Sequence, residues 1–168
     1  MIQKEYMELI LKHGSDILES PGMESEKRFI QHGQTSVYMH SLLVAAACID
    51  FSRKYRISVN ERALVRGALL HDYFLYDWHV PDKSHSFHAF THAGRALKNA
   101  EKDFELNEIE RNMIESHMFP LGLAAPIYRE SLILCISDKL CAAEETVSGF
   151  AAFLSRIMRI PQGAVSEE

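Results

Sequence analysis

The sequence predicts an all-α fold in a single domain, built as a bundle of helices. Three observations indicate this fold. Apolar residues recur at helical spacing along most of the 168 residues. No segment alternates apolar and polar residues as a half-buried strand does, and the connecting segments are short. A hydrophobic content of 47% at this length is enough for one sizeable core.

The N-terminal half of the chain contains three helical patterns. The first ends before "SPG" at residues 20–22, which is a stop signal. Thr35 or Ser36 can cap the second helix, and Asn60 can cap the third. Residues 23–32 form a short segment that could also be helical. The helices expected in this half are 2–19, 35–55 and 59–76.

The C-terminal half contains four more helical patterns. Residues 77–86, around Pro81, have the composition of a loop. Asn107 is followed three residues later by Glu110, a variant of the capping box. The segment "FPLGLAAP" at 119–126 is a second loop. The helices expected in this half are 87–103, 107–118, 128–147 and 149–158.

Composition excludes several classes of protein. The formal net charge of -5 argues against non-specific binding to a nucleic-acid duplex or an anionic membrane. The longest apolar run, residues 42–49, is too short to span a bilayer, and the N-terminus has no apolar run of signal-peptide length. Three cysteines without a CxxC motif are expected to be packing residues in a reducing compartment. We therefore expect a cytoplasmic protein.

Polar residues interrupt the apolar faces of four predicted helices. His40, His71, His117 and Asp138 each lie where a bundle helix should be apolar, and Asp72 follows His71 about 100° round the same helix. Burying such groups is costly unless they are paired or bind a metal. One of them alone would be a core residue, but five together favour a metal site. Imidazole plus carboxylate suits zinc, iron, manganese or nickel, and no CxxC motif suggests a thiolate zinc site.

The order of these residues resembles the HD superfamily of metal-dependent phosphohydrolases. His40, then His71–Asp72, then Asp138 match the family pattern H…HD…D over roughly residues 35–147. "RGALLHDY" is similar to the characteristic helix of the family, and "SDKLCAAEE" is similar to its closing Asp helix. The dipeptide alone is a weak signal, whereas the full ordered set is specific.

Two further histidines resemble those of the two-metal members of the superfamily. They are His92 in "THAGRAL" and His117 in "IESHMFPL". Such members include HD-GYP-type phosphodiesterases and bacterial hydrolases of diadenosine polyphosphates. The GYP segment is missing here, and Tyr73 follows the HD pair where many members have Ile-Gly. The nearby downstream acid is Asp77, so matching does not assign a general acid.

The resemblance implies both an architecture and an activity. The architecture is an HD-type helical domain at 35–158, with an N-terminal helical extension at 1–34 packed on it and a flexible tail at 159–168. The activity is hydrolysis of a phosphate ester or anhydride, of a nucleotide or dinucleotide, by a metal-activated hydroxide that attacks phosphorus in line. The cofactor would be one or two divalent ions of Fe, Mn, Zn or Ni. The implied ligands are His40, His71 and Asp138 for one ion, His92 and His117 for the second, and Asp72 as a bridge.

Three more residues are candidates for contact with substrate. His88 shares a face with His85 and His92 and could be a general acid or a phosphate contact, the alternative being a solvated helix start. Lys139 could contact phosphate or form a surface salt bridge. Arg66 could bind phosphate bidentately, although a surface position is favoured.

Aromatic residues near the HD pair have two interpretations. Tyr73, Tyr76, Trp78 and Phe119 could stack on a nucleotide base, whereas aromatics in a helical bundle more often belong to the core. His13 and His32 lie outside this set of candidates and are interpreted as surface residues.

Two other classes of function remain open. The chain could be a catalytically silent HD-fold module that binds a signal molecule or nucleotide, but its ligand set is intact. It could be a structural metal protein, but six ligands shared by two ions leave open coordination positions. The sequence leaves the exact substrate and the oligomeric state open, with a homodimer as one option.

Overall fold

A computed structural model describes residues 2–77 and 88–158, and it confirms the all-α fold. The described residues form seven helices and one two-stranded antiparallel ribbon. The predicted tail at 159–168 lies outside the described residues. The elements are α1 Lys4–Leu18, α2 Pro21–Glu26, β1 Ile30–His32, β2 Thr35–Ser36, α3 Val37–Lys54, α4 Glu61–Leu70, α5 His88–Asp103, α6 Glu108–Ser116 and α7 Arg129–Met158.

Helix α4 lies at the centre of the bundle and packs against α1, α3 and α6. Residues 63–70 are all buried, because every one except Arg66 is apolar or glycine. The Arg66 guanidinium is neutralised inside the protein, where it donates to Asp16 of α1 at 2.7 Å and lies 3.6 Å from Glu110. A helix enclosed on all sides delivers the residue that follows it, His71, into the interior.

The predicted N-caps fix where three of the helices begin. The side chains of Ser36, Asn60 and Asn107 each accept the backbone N–H three residues further on. The capping box of α6 is complete, because the Glu110 carboxylate accepts the backbone N–H of Asn107. The starts of α3, α4 and α6 were therefore predictable from local chemistry.

The predicted end of α4 was wrong. The helix ends at Leu70 and not near residue 76. The ring of His71 donates from Nδ1 to the carbonyl of Ala68 at 2.8 Å, and Leu75 adopts a positive φ of 62° that ends helical geometry. The Asn99 amide of α5 then holds the carbonyls of residues 73 and 74 at 3.1 Å. Tertiary contacts thus override the apolar periodicity of "YFLY".

The predicted division of the last helix was also wrong, since α7 is continuous from Arg129 to Met158. A glycine at position 149 costs only about 1 kcal/mol inside a helix, which a long helix tolerates. The ribbon of β1 and β2 was not expected. Its strands of three and two residues are too short to show alternation, and Gly33 makes the turn with a φ of 59°.

The N-terminal helices pack on the rest of the bundle. Ile10 and Ile17 of α1 and Met23 of α2 are fully buried in the common core. His13 is half-buried and not a surface residue, because its Nε2 is enclosed. No helix among the described residues combines the length and the apolar character that crossing a membrane requires.

Candidate metal centre

The structure brings all six predicted ligand residues to one buried point. They reach it from five elements, and none of the six side chains is more than slightly exposed. The residues are His40 of α3, His71 and Asp72 directly after α4, His92 of α5, His117 directly after α6 and Asp138 of α7.

One half of the centre is formed by two histidines and one aspartate. Oδ1 of Asp138 lies 3.1 Å from Nε2 of His40 and 3.5 Å from Nε2 of His71. Oδ2 of Asp72 lies 3.4 Å from Nε2 of His71 and 4.0 Å from Nε2 of His40. Two imidazole nitrogens and two carboxylate oxygens therefore converge on one small volume.

The other half is formed by His92 and His117. Their Nε2 atoms are 2.9 Å apart, and they lie 3.3 Å and 3.4 Å from Oδ1 of Asp72. Asp72 thus presents one oxygen to each half. Asp72 belongs to two triads of ligand atoms, one with His40 and His71 and one with His92 and His117, in each of which all atoms lie within 4.8 Å.

Hydrogen bonds on the far side of the rings fix which nitrogen faces the centre. Nδ1 of His71 donates to the carbonyl of Ala68 at 2.8 Å, and Nδ1 of His117 donates to the carbonyl of Ile114 at 2.7 Å. A carbonyl can only accept, so the proton of the neutral ring is on Nδ1 and the lone pair is on Nε2. This is the tautomer that a metal ligand requires.

Two helices end at the centre. His71 is the C-cap of α4, and His117 is the C-cap of α6. The C-terminal end of a helix carries a partial negative charge of about half an elementary charge, which favours a cation near it. Both helix ends therefore add to the negative potential that the two aspartates supply.

Charge and burial set the ionisation of the histidines in the first half. Burial lowers the pKa of His40, but hydrogen bonds to Asp138 and Glu145 outweigh burial and raise it to about 9. Burial also lowers the pKa of His71, and the negative charge of Asp72 raises it well above its ordinary value. Both rings consequently favour the doubly protonated, cationic form near neutral pH when no metal is bound.

The other members of the centre have the opposite tendencies. Burial opposes ionisation of Asp72, yet the charge of His71 holds its pKa well below the ordinary value. The hydrogen bond to His40 and the nearby charge of His71 likewise outweigh burial and lower the pKa of Asp138. Burial lowers the pKa of His117, so that ring stays neutral.

Two buried atoms of the centre have no partner for a hydrogen bond in the described part of the chain but could bind a cation. Nε2 of His71 and Oδ1 of Asp72 are buried and have no hydrogen-bond partner among the described residues. Such orphaned atoms are costly unless something binds them. Nitrogen and carboxylate oxygen donors suit Zn, Fe, Mn or Ni. The His/Asp groups are therefore positioned for metal binding.

Sequence reasoning missed the residues that support these ligands. Both oxygens of Glu145 lie 3.1 Å from Nδ1 of His40. The amide of Gln31 in β1 donates to Oδ2 of Asp72. Glu145 lies two turns after Asp138 on α7, so the spacing of seven could have revealed it. Gln31 lies in a strand of only three residues and has no such signal.

A further buried carboxyl, that of Glu26, lies close to the centre. Glu26 of α2 is fully buried, and neither of its oxygens has a side-chain partner. Burial and the negative charge of Asp72 raise its pKa well above the ordinary value. The surroundings of Glu26 therefore favour its neutral form over the anion.

The weaker candidates from the sequence are only partly near the centre. Nζ of Lys139 donates to the carbonyls of His117 at 2.9 Å and Cys135 at 3.2 Å, so it ties the end of α6 to α7. The structure does not bring Arg66 to the centre, and the surface position expected for it was wrong, because it is buried against Asp16. Their contact with substrate stays a prediction.

Other candidates fall on residues that the structure does not describe. His85 and Trp78 lie outside the described residues, as do the side chains of His32 and His88. The role of His88 as a general acid therefore stays a prediction.

The aromatic candidates that are described divide into two groups. Tyr73 is fully buried, and its hydroxyl donates to Asp103 at 3.0 Å, so it belongs to the core. Tyr76 is half-buried, with the guanidinium of Arg95 over its ring at 5.3 Å. Phe119 is 42% exposed. Tyr76 and Phe119 both keep part of their surface exposed, and stacking on a base stays a prediction for them.

Comparison with known families gives the class of protein. A family model, the HD domain, matches residues 37–143, which is more than half of the chain. The protein therefore belongs to the HD domain family, which is typically all-α and composed of metal-dependent hydrolases. No match was found among curated proteins or among solved structures.

Proposed function

We propose that this protein is a metal-dependent phosphohydrolase that cleaves a phosphate ester or anhydride of a nucleotide or dinucleotide. The observation that carries the proposal is the position of Asp72, whose two oxygens face the two halves of the centre at 3.3–3.4 Å. The His40 half and the His92 half would each hold one divalent ion of Fe, Mn, Zn or Ni. Such ions lower the pKa of a bound water and offset charge on phosphate oxygens.

The role of the protein is to hold this constellation rigidly. Asp72 sets the distance between the two halves, and Gln31 fixes the carboxylate by donating to Oδ2. Lys139 holds the backbone of His117 in place from α7. Preorganised groups of this kind stabilise developing charge without reorganisation during the reaction.

Groups beside the centre support an anionic substrate with an aromatic part. Arg95 lies on α5 one turn after His92, and its guanidinium stacks on Tyr76. A guanidinium can bind phosphate oxygens in a bidentate manner, and an aromatic ring can stack on a base. Arg95 is therefore a further candidate for a phosphate contact, beside Lys139 and Arg66. His88 is the proposed general acid for the leaving group.

The variant Asp72→Asn tests the proposal, because it keeps the size of the side chain and removes the charge shared by both halves. We expect loss of one or both ions by metal analysis and a rate of phosphate release reduced about 10²-fold or more. Asp50→Asn is the matched control, since Asp50 is an exposed residue of α3 that accepts only from Tyr6 among the described residues. If Asp72→Asn retains both ions and normal hydrolysis, the proposed centre is wrong.

A substrate screen separates the enzyme from a silent binding module. The purified protein, loaded separately with each of the four metals, would be assayed for hydrolysis of nucleotides, dinucleotides and sugar phosphates. Hydrolysis that depends on the metal supports the proposal. Tight nucleotide binding without turnover under all loadings would favour the binding module.

A further inference from the structure

Helix α7 has an apolar stripe on the face opposite to the metal centre. Its members are spaced so that they fall within about 80° of one side of the helix. They remain exposed among the described residues, although a surface helix is normally polar on its outer face. The members are Leu132 (51% exposed), Ile136 (37%), Leu140 (62%) and Val147 (68%).

The loop between α6 and α7 carries further exposed apolar residues. The loop starts next to the middle of α7, where Lys139 binds the carbonyl of His117, and it returns to the beginning of α7 at Arg129. It therefore runs alongside the helix. Its exposed apolar residues are Phe119 (42%), Leu121 (57%), Leu123 (104%) and Ile127 (74%).

These eight residues form what we call the α7 patch, and its size is that of a protein interface. Of the twelve exposed large apolar residues in the described part of the chain, eight belong to the α7 patch. From their exposed fractions they present on the order of 800 Å² of surface. The largest apolar patch of a typical monomer is about 300–600 Å². Each partner of a standard stable interface buries about 800 Å².

We propose that the α7 patch joins two copies of this chain in a two-fold symmetric dimer. A two-fold interface uses the same surface on both subunits, so it brings like groups close to one another. Apolar side chains tolerate this, whereas like charges repel. Lys139, on the flank of the stripe, directs its amine to the carbonyls of His117 and Cys135, away from an approaching copy. The patch is thus suited to pairing with itself.

The proposal is independent of the proposed hydrolase activity. The stripe lies on the outer face of α7, whereas Asp138 and Glu145 lie on the inner face of the same helix. A dimer formed through the α7 patch would leave both metal half-sites inside each subunit. Loss of dimerisation therefore tests the interface, and loss of metal tests the centre.

Sedimentation equilibrium of the full chain tests the proposal with Leu140→Glu and a matched control, Leu11→Glu. Leu140 lies in the stripe, and Leu11 is an equally apolar residue of α1 that is 49% exposed. We expect the unchanged protein and Leu11→Glu to be dimers at micromolar concentration. Leu140→Glu should weaken dimerisation at least about 100-fold, because the buried charge occurs in both copies.

Circular dichroism would show that Leu140→Glu is folded, and Leu140→Ser replaces it if it is not. Leu123→Ser tests the loop part of the patch, since Leu123 is fully exposed in the described structure, and should weaken the dimer as well. A monomer at about 100 µM would overturn the proposal and leave the patch to another occupant. A dimer that Leu140→Glu and Leu140→Ser leave unchanged would overturn it equally.

Discussion

Glu145 should control how strongly pH affects metal binding at the half-site that contains His40. Its carboxylate is 8% exposed and accepts from Nδ1 of His40 with both oxygens at 3.1 Å. This contact and the contact with Asp138 together raise the pKa of His40 to about 9. Because a metal binds only the neutral ring, a proton on His40 competes with the metal. Glu145→Gln keeps an acceptor for Nδ1 and removes the charge.

The size of the expected pH effect on metal affinity follows from the pKa of His40. With a pKa of about 9, only about one His40 ring in a hundred is neutral at pH 7, and about half are neutral at pH 9. Proton competition at His40 alone should therefore raise the apparent metal affinity about 50-fold between pH 7 and pH 9. Glu145→Gln should lower the pKa of His40 and flatten this dependence. Loss of a carboxylate behind a ligating histidine also costs about 10–100-fold in intrinsic affinity.

In Glu145→Gln, weaker proton competition at His40 and lower intrinsic metal affinity offset each other at pH 7. At pH 9 proton competition is small, so the loss of intrinsic affinity dominates. We expect Glu145→Gln to bind metal nearly as well as the unchanged protein at pH 7, and about 10–100-fold more weakly at pH 9. The assay is a chelator-buffered titration of metal-free protein with Zn²⁺ at both pH values. Glu144→Gln is the control, because Glu144 is the exposed neighbour on the same helix. An equal loss at both pH values would refute the reasoning.

Three further predictions concern the fold. In metal-free protein, the contacts that raise the pKa of His40 stabilise the fold below about pH 6.5. This contribution, on the order of 3 kcal/mol, is lost as the pH rises through about 9. The contacts that lower the pKa of Asp138 stabilise the fold above about pH 4, and their contribution is lost on acidification. The melting temperature of chelated protein should accordingly fall between pH 7 and pH 9, and added Zn²⁺ should reverse the fall. Gly67→Ala should destabilise by about 1–3 kcal/mol in urea unfolding, since the new Cβ would lie 2.6 Å from Sδ of Met113, whereas Gly94→Ala, with open space around it, should stabilise by about 0.5–1 kcal/mol. Arg66→Ala should cost about 2–4 kcal/mol of unfolding free energy, because it removes the buried guanidinium that pairs with Asp16 and with the buried carboxylate of Glu110. Unchanged stability with a raised KM would instead identify Arg66 as a substrate residue.

Local chemistry in the sequence accounts for much of the fold. The caps at Ser36, Asn60 and Asn107 are decided by neighbouring residues alone, so their helices begin where the sequence predicts. The end of α4 is decided by distant groups such as Asn99, and no local pattern contains that information. The ribbon of β1 and β2 was missed because its strands are too short to show an alternation of apolar and polar residues.

The candidate site was predictable to a different degree. Its six central residues interrupt apolar faces, and that signal survives in a single sequence. The supporting residues, Gln31 and Glu145, do not interrupt an apolar face. Gln31 lies in a strand too short to show a pattern, and it becomes recognisable only from the contact of its amide with Asp72. The position of His71 at a helix end, and not within the helix, likewise depends on tertiary contacts.

The anchoring of the ring nitrogens has a consequence for how this centre can adapt under mutation. The tautomers of His71 and His117 are set by main-chain carbonyls of their own helices, which no substitution of a side chain can delete. The tautomer of His40 is set by a side chain, that of Glu145. The centre is therefore robust to substitution at two histidines and adjustable at the third. A substitution at position 145 would therefore change the pH range in which His40 can bind a metal while leaving every ligand in place.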